Sequence, residues 1–215
     1  MKLYTFFHSS ASYRVRIALH LKGIAHEQAF VQLPKAEQSA PAFKAVNPAG
    51  LVPALEDGGH VLAQSLAIIE YLDETQPGPK LVPAEPFERA YVRAFSQIVA
   101  CEIHPLNNLR VLNHLRKAYS LDQDGVNAWY SHWIAEGFAM MEGFLAKERK
   151  AGRFCLGDQP TTADCCLVPQ VFNAQRYKCD LSPYPTVMRI HDECAKLDAV
   201  KKAHPMNQPD TPPRT

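Results

Sequence analysis

The sequence predicts two domains of different class, a small α/β domain followed by an all-helical one. Three observations carry this. Strand-like and helix-like runs alternate over residues 1–75. The stretch QPGPKLVPA at residues 76–84 then packs three prolines and one glycine into nine positions, which makes a poor helix and a good linker. Beyond it only helical periodicity remains. The expected boundaries are residues 1–80 for the α/β domain, 76–85 for the linker and 86–215 for the helical domain.

KLYTFF, starting at Lys2, reads as a strand. Residues 12–22 place Val15, Ala18, Leu19 and Leu21 largely on one helical face, and Gly23 suits a helix end. HEQAFVQL reads as a second strand. VPALE and HVLAQ flank Asp57-Gly58-Gly59 and read as a hairpin. SLAIIEYLDET reads as a helix with Ser65 at its N-cap. The order is βαβ, an irregular segment, then ββα, within the size range of a small domain.

After the linker, residues 86–118 repeat apolar side chains through Phe87, Tyr91, Phe95, Ile98, Val99 and Ile103, and Pro105 should interrupt that helix. Residues 123–150 form a second helix around Trp129, Trp133, Phe138, Met141 and Leu145. A third covers TTADCCLVPQVFNAQRY, where Thr161 and Asp164 have the spacing of a reciprocal cap. A last helix covers about residues 185–197, and the proline-rich tail HPMNQPDTPPRT reads as extended.

Hydrophobic residues make up 47% of the 215 and charged ones 21%, as in an ordinary globular protein. A net charge of +1 offers no field for nucleic acid or an anionic membrane. No run approaches the roughly 20 apolar residues that span a bilayer. MKLYTFFHSS is too short in apolar residues for a signal peptide, so the chain reads as cytoplasmic. Cys101, Cys155, Cys165, Cys166, Cys179 and Cys194 show neither CxxC nor a Cys/His metal spacing. They read as free thiols that fill the core; no metal is expected, and none is the candidate nucleophile.

Four groups of residues could carry chemistry. Ser9, Ser10 and Ser12 precede the first helix, as a plain N-cap or as a site that holds an anion or a thiolate. Arg14 and Arg16 follow at once, but two positions turn a helix by about 200°, so they cannot form one clamp. One reads as an interdomain or surface ion pair. Val52-Pro53 stands either in an ordinary loop or, cis, at a strand entrance with the Val52 backbone turned outward for another chain. Gln64-Ser65 precedes a helix, as a cap or as a carboxylate site. In the helical half, His104, Asn107, Asn108 and Arg110 cluster around Pro105, and Arg176 ends the third helix. Together they suggest a wall for an anion, and a cleft between two domains is a usual place for a ligand.

The ordered set resembles the glutathione transferase superfamily. The parts that match are NPAGLVPALEDGGHVLAQSLAIIEYL, the proline linker, and GDQPTTADCCLVPQ with its Thr161/Asp164 cap. SSASYRVRIALHLKG is similar to the zeta-class signature SSCSWRVRIAL, and NAQRYKCDLSPYPT and HPMNQPDTP look like zeta-class maleylacetoacetate isomerases. The resemblance covers essentially the whole chain. It implies a thioredoxin-like N-terminal domain followed by an all-helical one, glutathione as cofactor, a homodimer, and cis–trans isomerisation of a maleyl diketo acid. It further implies that Ser9, assisted by Ser10, donates to the glutathione sulfur. Val52 pairs with the cysteinyl backbone beside a cis Pro53, and Gln64 and Ser65 hold the γ-glutamyl carboxylate. His104, Asn108 and Arg110 reach in from the helical domain, His8 stands at the substrate mouth, and Arg176 binds a substrate carboxylate.

Two positions depart from the pattern. Ala11 stands where the signature has cysteine, and His8 where relatives often carry arginine, giving the mouth a charge that depends on pH. The leading expectation is a maleylacetoacetate or maleylpyruvate isomerase of aromatic and tyrosine breakdown. The alternatives are a general glutathione transferase or α-halo acid dehalogenase, which consumes the thiol, and a non-catalytic binding protein of the same fold.

Overall fold

A computed structural model describes residues 1–213. The chain divides into two compact units, residues 1–82 together with the C-terminal segment from Ala195, and Pro83–Cys194.

The first unit is built on a four-stranded mixed sheet in the order β2-β1-β3-β4. β1 (Lys2–Thr5) runs parallel to β2 (Glu27–Phe30) and antiparallel to β3 (Ala54–Asp57), and β3 pairs antiparallel with β4 (His60–Ala63). A parallel pair needs a crossover, and α1 (Ser10–Leu21) supplies it. Gly58 and Gly59 have φ of 56° and 81°, the left-handed values that a two-residue hairpin asks of both central residues. The irregular segment holds two 3-10 turns, Leu33–Lys35 and Glu37–Ser39, and then α2 (Pro41–Val46). α3 (Ser65–Thr75) closes the unit, with Ile68, Ile69 and Leu72 buried as Val15, Ile17 and Leu19 of α1 are. Its cap differs from expectation. Gln64 is the N-cap residue and Ser65 the first helical one, and Gln64 makes no side-chain cap bond.

The proline stretch after α3 is held in place. Lys22, at the end of α1, places its Nζ 3.1 Å from Asp73 Oδ1, and both side chains are buried. Lys22 also donates to Pro79 O at 3.0 Å, while the Leu81 and Val82 amides donate to the two Asp73 oxygens at 2.8 and 3.3 Å. Gly78 has φ of +101°, and a Cβ there would stand 2.7 Å from Lys22 O. One ion pair and one glycine thus decide the path of the linker.

The tail is compact where an extended one was expected. α9 (Asp198–Ala203) packs along α1, and a 3-10 turn follows at Pro205–Asn207. Gln208 Nε2 donates to Lys202 O at 2.8 Å and His204 O at 3.0 Å, so the tail satisfies its own carbonyls with side chains. These bonds and the packing on α1 attach residues from Ala195 onward to the first unit, where the sequence reading had given all of 86–215 to the helical domain. The last two residues, Arg214 and Thr215, lie outside the described ones.

The second unit is helical: α4 (Pro86–Gln97), α5 (Leu109–Tyr119), α6 (Gln123–Glu148), α7 (Thr162–Arg176) and most of α8 (Pro185–Lys196). Phe95, Val99, Ile134, Phe138, Met141 and Val171 fill its core. The interruption expected at Pro105 takes a specific form. Ile98–Ile103 is a π-helix, in which His104 N–H reaches back five residues to Val99 O at 2.9 Å. Pro105 has no N–H to continue an α-helix, so the ladder ends there. Ile103 seats against Gly137, where a Cβ would stand 2.2 Å from its Cγ1. At the start of α7, Asp164 Oδ2 accepts from the Thr161 amide at 2.8 Å and its hydroxyl at 2.9 Å, and Oδ1 accepts from the Cys155 amide at 2.8 Å. Burial pushes the pKa of this carboxyl up, and its donors pull it back.

Breaking the Lys22–Asp73 pair should cost about 3 kcal/mol, because it strands a buried charge. Asp73→Ala should show that loss in urea unfolding. Gly78→Ala should cost on the order of 2 kcal/mol from the strained φ; a loss well under 1 kcal/mol in both would contradict this account of the linker.

Candidate active site

The sheet register gathers three chain segments. Tyr4 of β1 is opposite Ala54 of β3, and Ala54 is opposite Ala63 of β4. The exit of β1, the entrance of β3 and the exit of β4 therefore lie side by side. His8, Ser9 and Ser10 follow the first, Val52 and Pro53 precede the second, and Gln64 and Ser65 follow the third. Phe6, Phe7 and Val52 share one buried cluster with Val31 and Phe43, which packs the first segment against the second. Arg14 Nη1 donates to Ser65 Oγ at 3.2 Å, which ties α1 to the start of α3.

Ser9 is the N-cap of α1, and its Oγ accepts from the Ser12 amide at 3.2 Å. A hydroxyl that accepts this way keeps its own proton to donate. The next amides, of Ser10 and Ala11, are in the first turn of α1, at the positive end of its dipole. Ser10 is buried, Ser9 is partly exposed, and the His8 ring stacks on Phe7 with centroids 4.6 Å apart.

Both arginines of this helix are buried, which removes the surface alternative of the expected ion pair. Arg16 is 0% exposed. Its Nη1 donates to Thr5 Oγ1 at 3.1 Å and Phe6 O at 3.3 Å, Nη2 to Phe7 O at 2.9 Å, and Nε to Ala203 O at 3.1 Å. Burial draws its pKa down to about 10, opposed first by Asp210. It stays charged at neutral pH and holds the turn before Ser9 from beneath. The two side chains do diverge, but each finds an interior partner.

The Val52–Pro53 peptide is cis. Asn47 fixes the approach to it, with Nδ2 donating to Leu51 O at 2.8 Å. Gln64 is exposed and has φ of 71°, a left-handed value rare for a residue with a side chain. Gln64 makes no side-chain cap bond to the first amides of α3, and the positive end of the helix dipole lies beside Ser65.

In the second unit, His104 ends the π-helix, Asn108 starts α5 and Arg110 is in the first turn of α5. Asn108 is the N-cap of α5, its Oδ1 accepting from Arg110 N at 3.1 Å, and its Nδ2 stands 3.4 Å from His104 Nε2. Asn107 is buried and donates to Tyr130 O of α6 at 3.3 Å. Tyr130 stacks on Tyr177 with centroids 3.6 Å apart, and the exposed Arg176 places its Cζ 5.2 Å from the Tyr177 ring. Burial pushes the Tyr130 phenol upward, and the charge of Arg176 opposes it. Sequence reasoning named the polar residues and missed the tyrosine stack; the signal for it was an aromatic directly after Arg176. Cys155, Cys165, Cys166 and Cys194 are buried, and burial pushes up the thiols of Cys155, Cys165, Cys179 and Cys194, so these four are poor nucleophiles.

Residues 1–74 match the family model for the glutathione S-transferase N-terminal domain, and residues 127–193 the model for its C-terminal domain. The chain is 50% identical to a maleylpyruvate isomerase of Ralstonia, over 98% of this chain and 100% of that one. It is 46% identical to the mouse maleylacetoacetate isomerase, over 98% and 94%. Among solved structures, a holo maleylpyruvate isomerase described as a bacterial zeta-class glutathione S-transferase superposes with a TM-score of 0.96 at 50% identity, covering 99% of this chain and all of that one. A maleylacetoacetate isomerase of Anaeromyxobacter dehalogenans with glutathione in its active site superposes at 0.88 with 43% identity, over 98% and 97%. A fold, a gathered set of loops and a full-length likeness thus agree: the chain belongs to the glutathione S-transferase family, in its zeta class.

Proposed function

We propose that the protein is a glutathione-dependent cis–trans isomerase that converts maleylacetoacetate to fumarylacetoacetate, or maleylpyruvate to fumarylpyruvate. The observation that carries this is the gathering of Ser9, Val52 and Ser65 at one end of the sheet, in a chain half identical over nearly its whole length to such an isomerase. The mouse and Ralstonia relatives carry the two substrate names between them, which leaves both diketo acids within the reading.

The residues fit glutathione. The first amides of α3 lack a side-chain cap and suit a γ-glutamyl carboxylate, with Ser65 beside them and Gln64 exposed. Val52 stands outside the β3 ladder, where its backbone can pair with a cysteinyl unit. Bound glutathione supplies a thiolate that adds to the maleyl double bond, frees it to rotate, and leaves unchanged. Ser9 lowers the thiol pKa by donating its free proton to the sulfur, and the α1 N-terminus with Ser10 favours the negative charge. Arg176, braced on Tyr177, holds a substrate carboxylate, and His104, Asn108 and Arg110 supply further donors around the start of α5. His8 faces the substrate as an imidazole held against Phe7. Family membership also carries the expectation of a homodimer acting in the cytoplasm.

Incubation with a maleyl diketo acid and a small amount of glutathione, following maleyl absorbance and free thiol together, tests the reading. An isomerase loses absorbance at constant thiol. Stoichiometric loss of thiol would point to a transferase, and no change to a binding protein. Ser9→Ala should cut turnover on the order of 10²-fold, as loss of a key donor does; a near-normal rate would remove Ser9 as the thiol partner. Arg176→Ala should chiefly raise KM for the diacid, and an unchanged KM would reject this substrate orientation.

A further inference from the structure

The turn that carries Ser9 is held on two sides, and only one of them belongs to the N-terminal segment. Arg16 binds its carbonyls, those of Phe6 and Phe7. The amide of Phe7, two residues before Ser9, donates instead to Asp210 Oδ2 at 2.9 Å. Asp210 comes from the C-terminal tail, 203 positions away in sequence. The tail is fastened where it must be for this contact. Arg16 Nε holds Ala203 O at 3.1 Å, Gln208 bonds Lys202 and His204 carbonyls, and Gln28 Nε2 of β2 donates to Gln208 Oε1 at 3.3 Å. The second Asp210 oxygen is buried with no hydrogen-bond donor among the described residues. The carboxylate also acts on the Arg16 guanidinium, whose charged form it favours against the cost of burial.

We propose that Asp210 is a positioning residue for the reaction: its carboxylate fixes the Phe7 amide and, with Arg16, sets the height of the Ser9 hydroxyl at the glutathione sulfur. The carboxylate does not touch glutathione or the diketo acid; it acts through the turn. This rests on Ser9 being the thiol partner. A short turn cannot shift one peptide without shifting the next, and donor geometry decides how far a thiol pKa is lowered. The tail thereby becomes part of the thiol-activating apparatus, and the C-terminal segment's attachment to the first unit has a chemical consequence.

The test is the pH dependence of kcat/KM for the diacid at saturating glutathione, whose acid limb reports the thiol in the protein–glutathione complex. Asp210→Ala should move that limb to higher pH and lower the rate at its foot by roughly 10-fold, the effect of about one hydrogen bond to a charged group. KM for the diacid should stay within about twofold, since the carboxylate is remote from Arg176 in role. Asp210→Asn keeps an oxygen for the Phe7 amide and loses the charge, so its limb should lie between those of the parent and Asp210→Ala. An unmoved limb in Asp210→Ala, whatever happens to Tm, would overturn the proposal, as would a larger shift in Asp210→Asn than in Asp210→Ala. If Asp210→Ala does not fold, Asp210→Glu, which displaces the acceptor by one methylene, must move the limb; an unmoved limb there also overturns it. Ser9→Ala run alongside separates the two readings. If Ser9→Ala moves the limb and Asp210→Ala does not, Asp210 alone loses its role. If Ser9→Ala leaves it in place, the Ser9 reading fails and this proposal fails with it.

Discussion

A fully buried guanidinium under the first turn is the constraint on which the rest of the glutathione-binding half depends. Arg16 is 0% exposed, and four of its hydrogen bonds are accounted for, three to Thr5, Phe6 and Phe7 and one to Ala203. A buried charge is tolerable only when its donors are paired. The carbonyls of the β1–α1 turn cannot relax without stranding it, and the tail cannot leave without removing an acceptor. The same charge thus fixes the segment that presents Ser9 and recruits the C-terminus to it.

Around that constraint the sheet register does the remaining assembly. β1, β3 and β4 meet through Tyr4, Ala54 and Ala63, and the antiparallel sense of β3 brings its entrance to the exit of its neighbours. Three loops distant in sequence become one surface, and Arg14 ties α1 to Ser65 across it. In the helical unit the logic is different. Pro105 ends a helix, the π register carries the backbone up to it, and Asn108 starts α5 afresh, so His104 and Arg110 flank one short connection. Arg176 is placed by a tyrosine stack.

Most of this fold was legible because it follows local rules. Gly58-Gly59 declares its hairpin, Gly23 its helix end, and Thr161 with Asp164 their cap, each through backbone chemistry that a few residues decide. Ser9 was legible as a cap, and the family resemblance supplied the thiol. What sequence could not tell was burial at long range. Arg14 and Arg16 at helical spacing predict divergence correctly, yet nothing local says that both directions lead inward. The tail read as extended because its prolines are local signals, whereas its shape comes from α1, Arg16 and Gln208. Gln64 displaced Ser65 as N-cap through an unusual φ that no propensity favours.

The central claim is that the protein prepares a thiolate at the N-terminus of α1. Titration of glutathione bound to the protein, followed through the ultraviolet absorbance of its thiolate, tests that directly. A free cysteine thiol titrates near about 8.5. The account predicts that the bound thiol titrates at least one unit lower, and that Ser9→Ala returns it most of the way. A bound thiol that titrates where free glutathione does would contradict it.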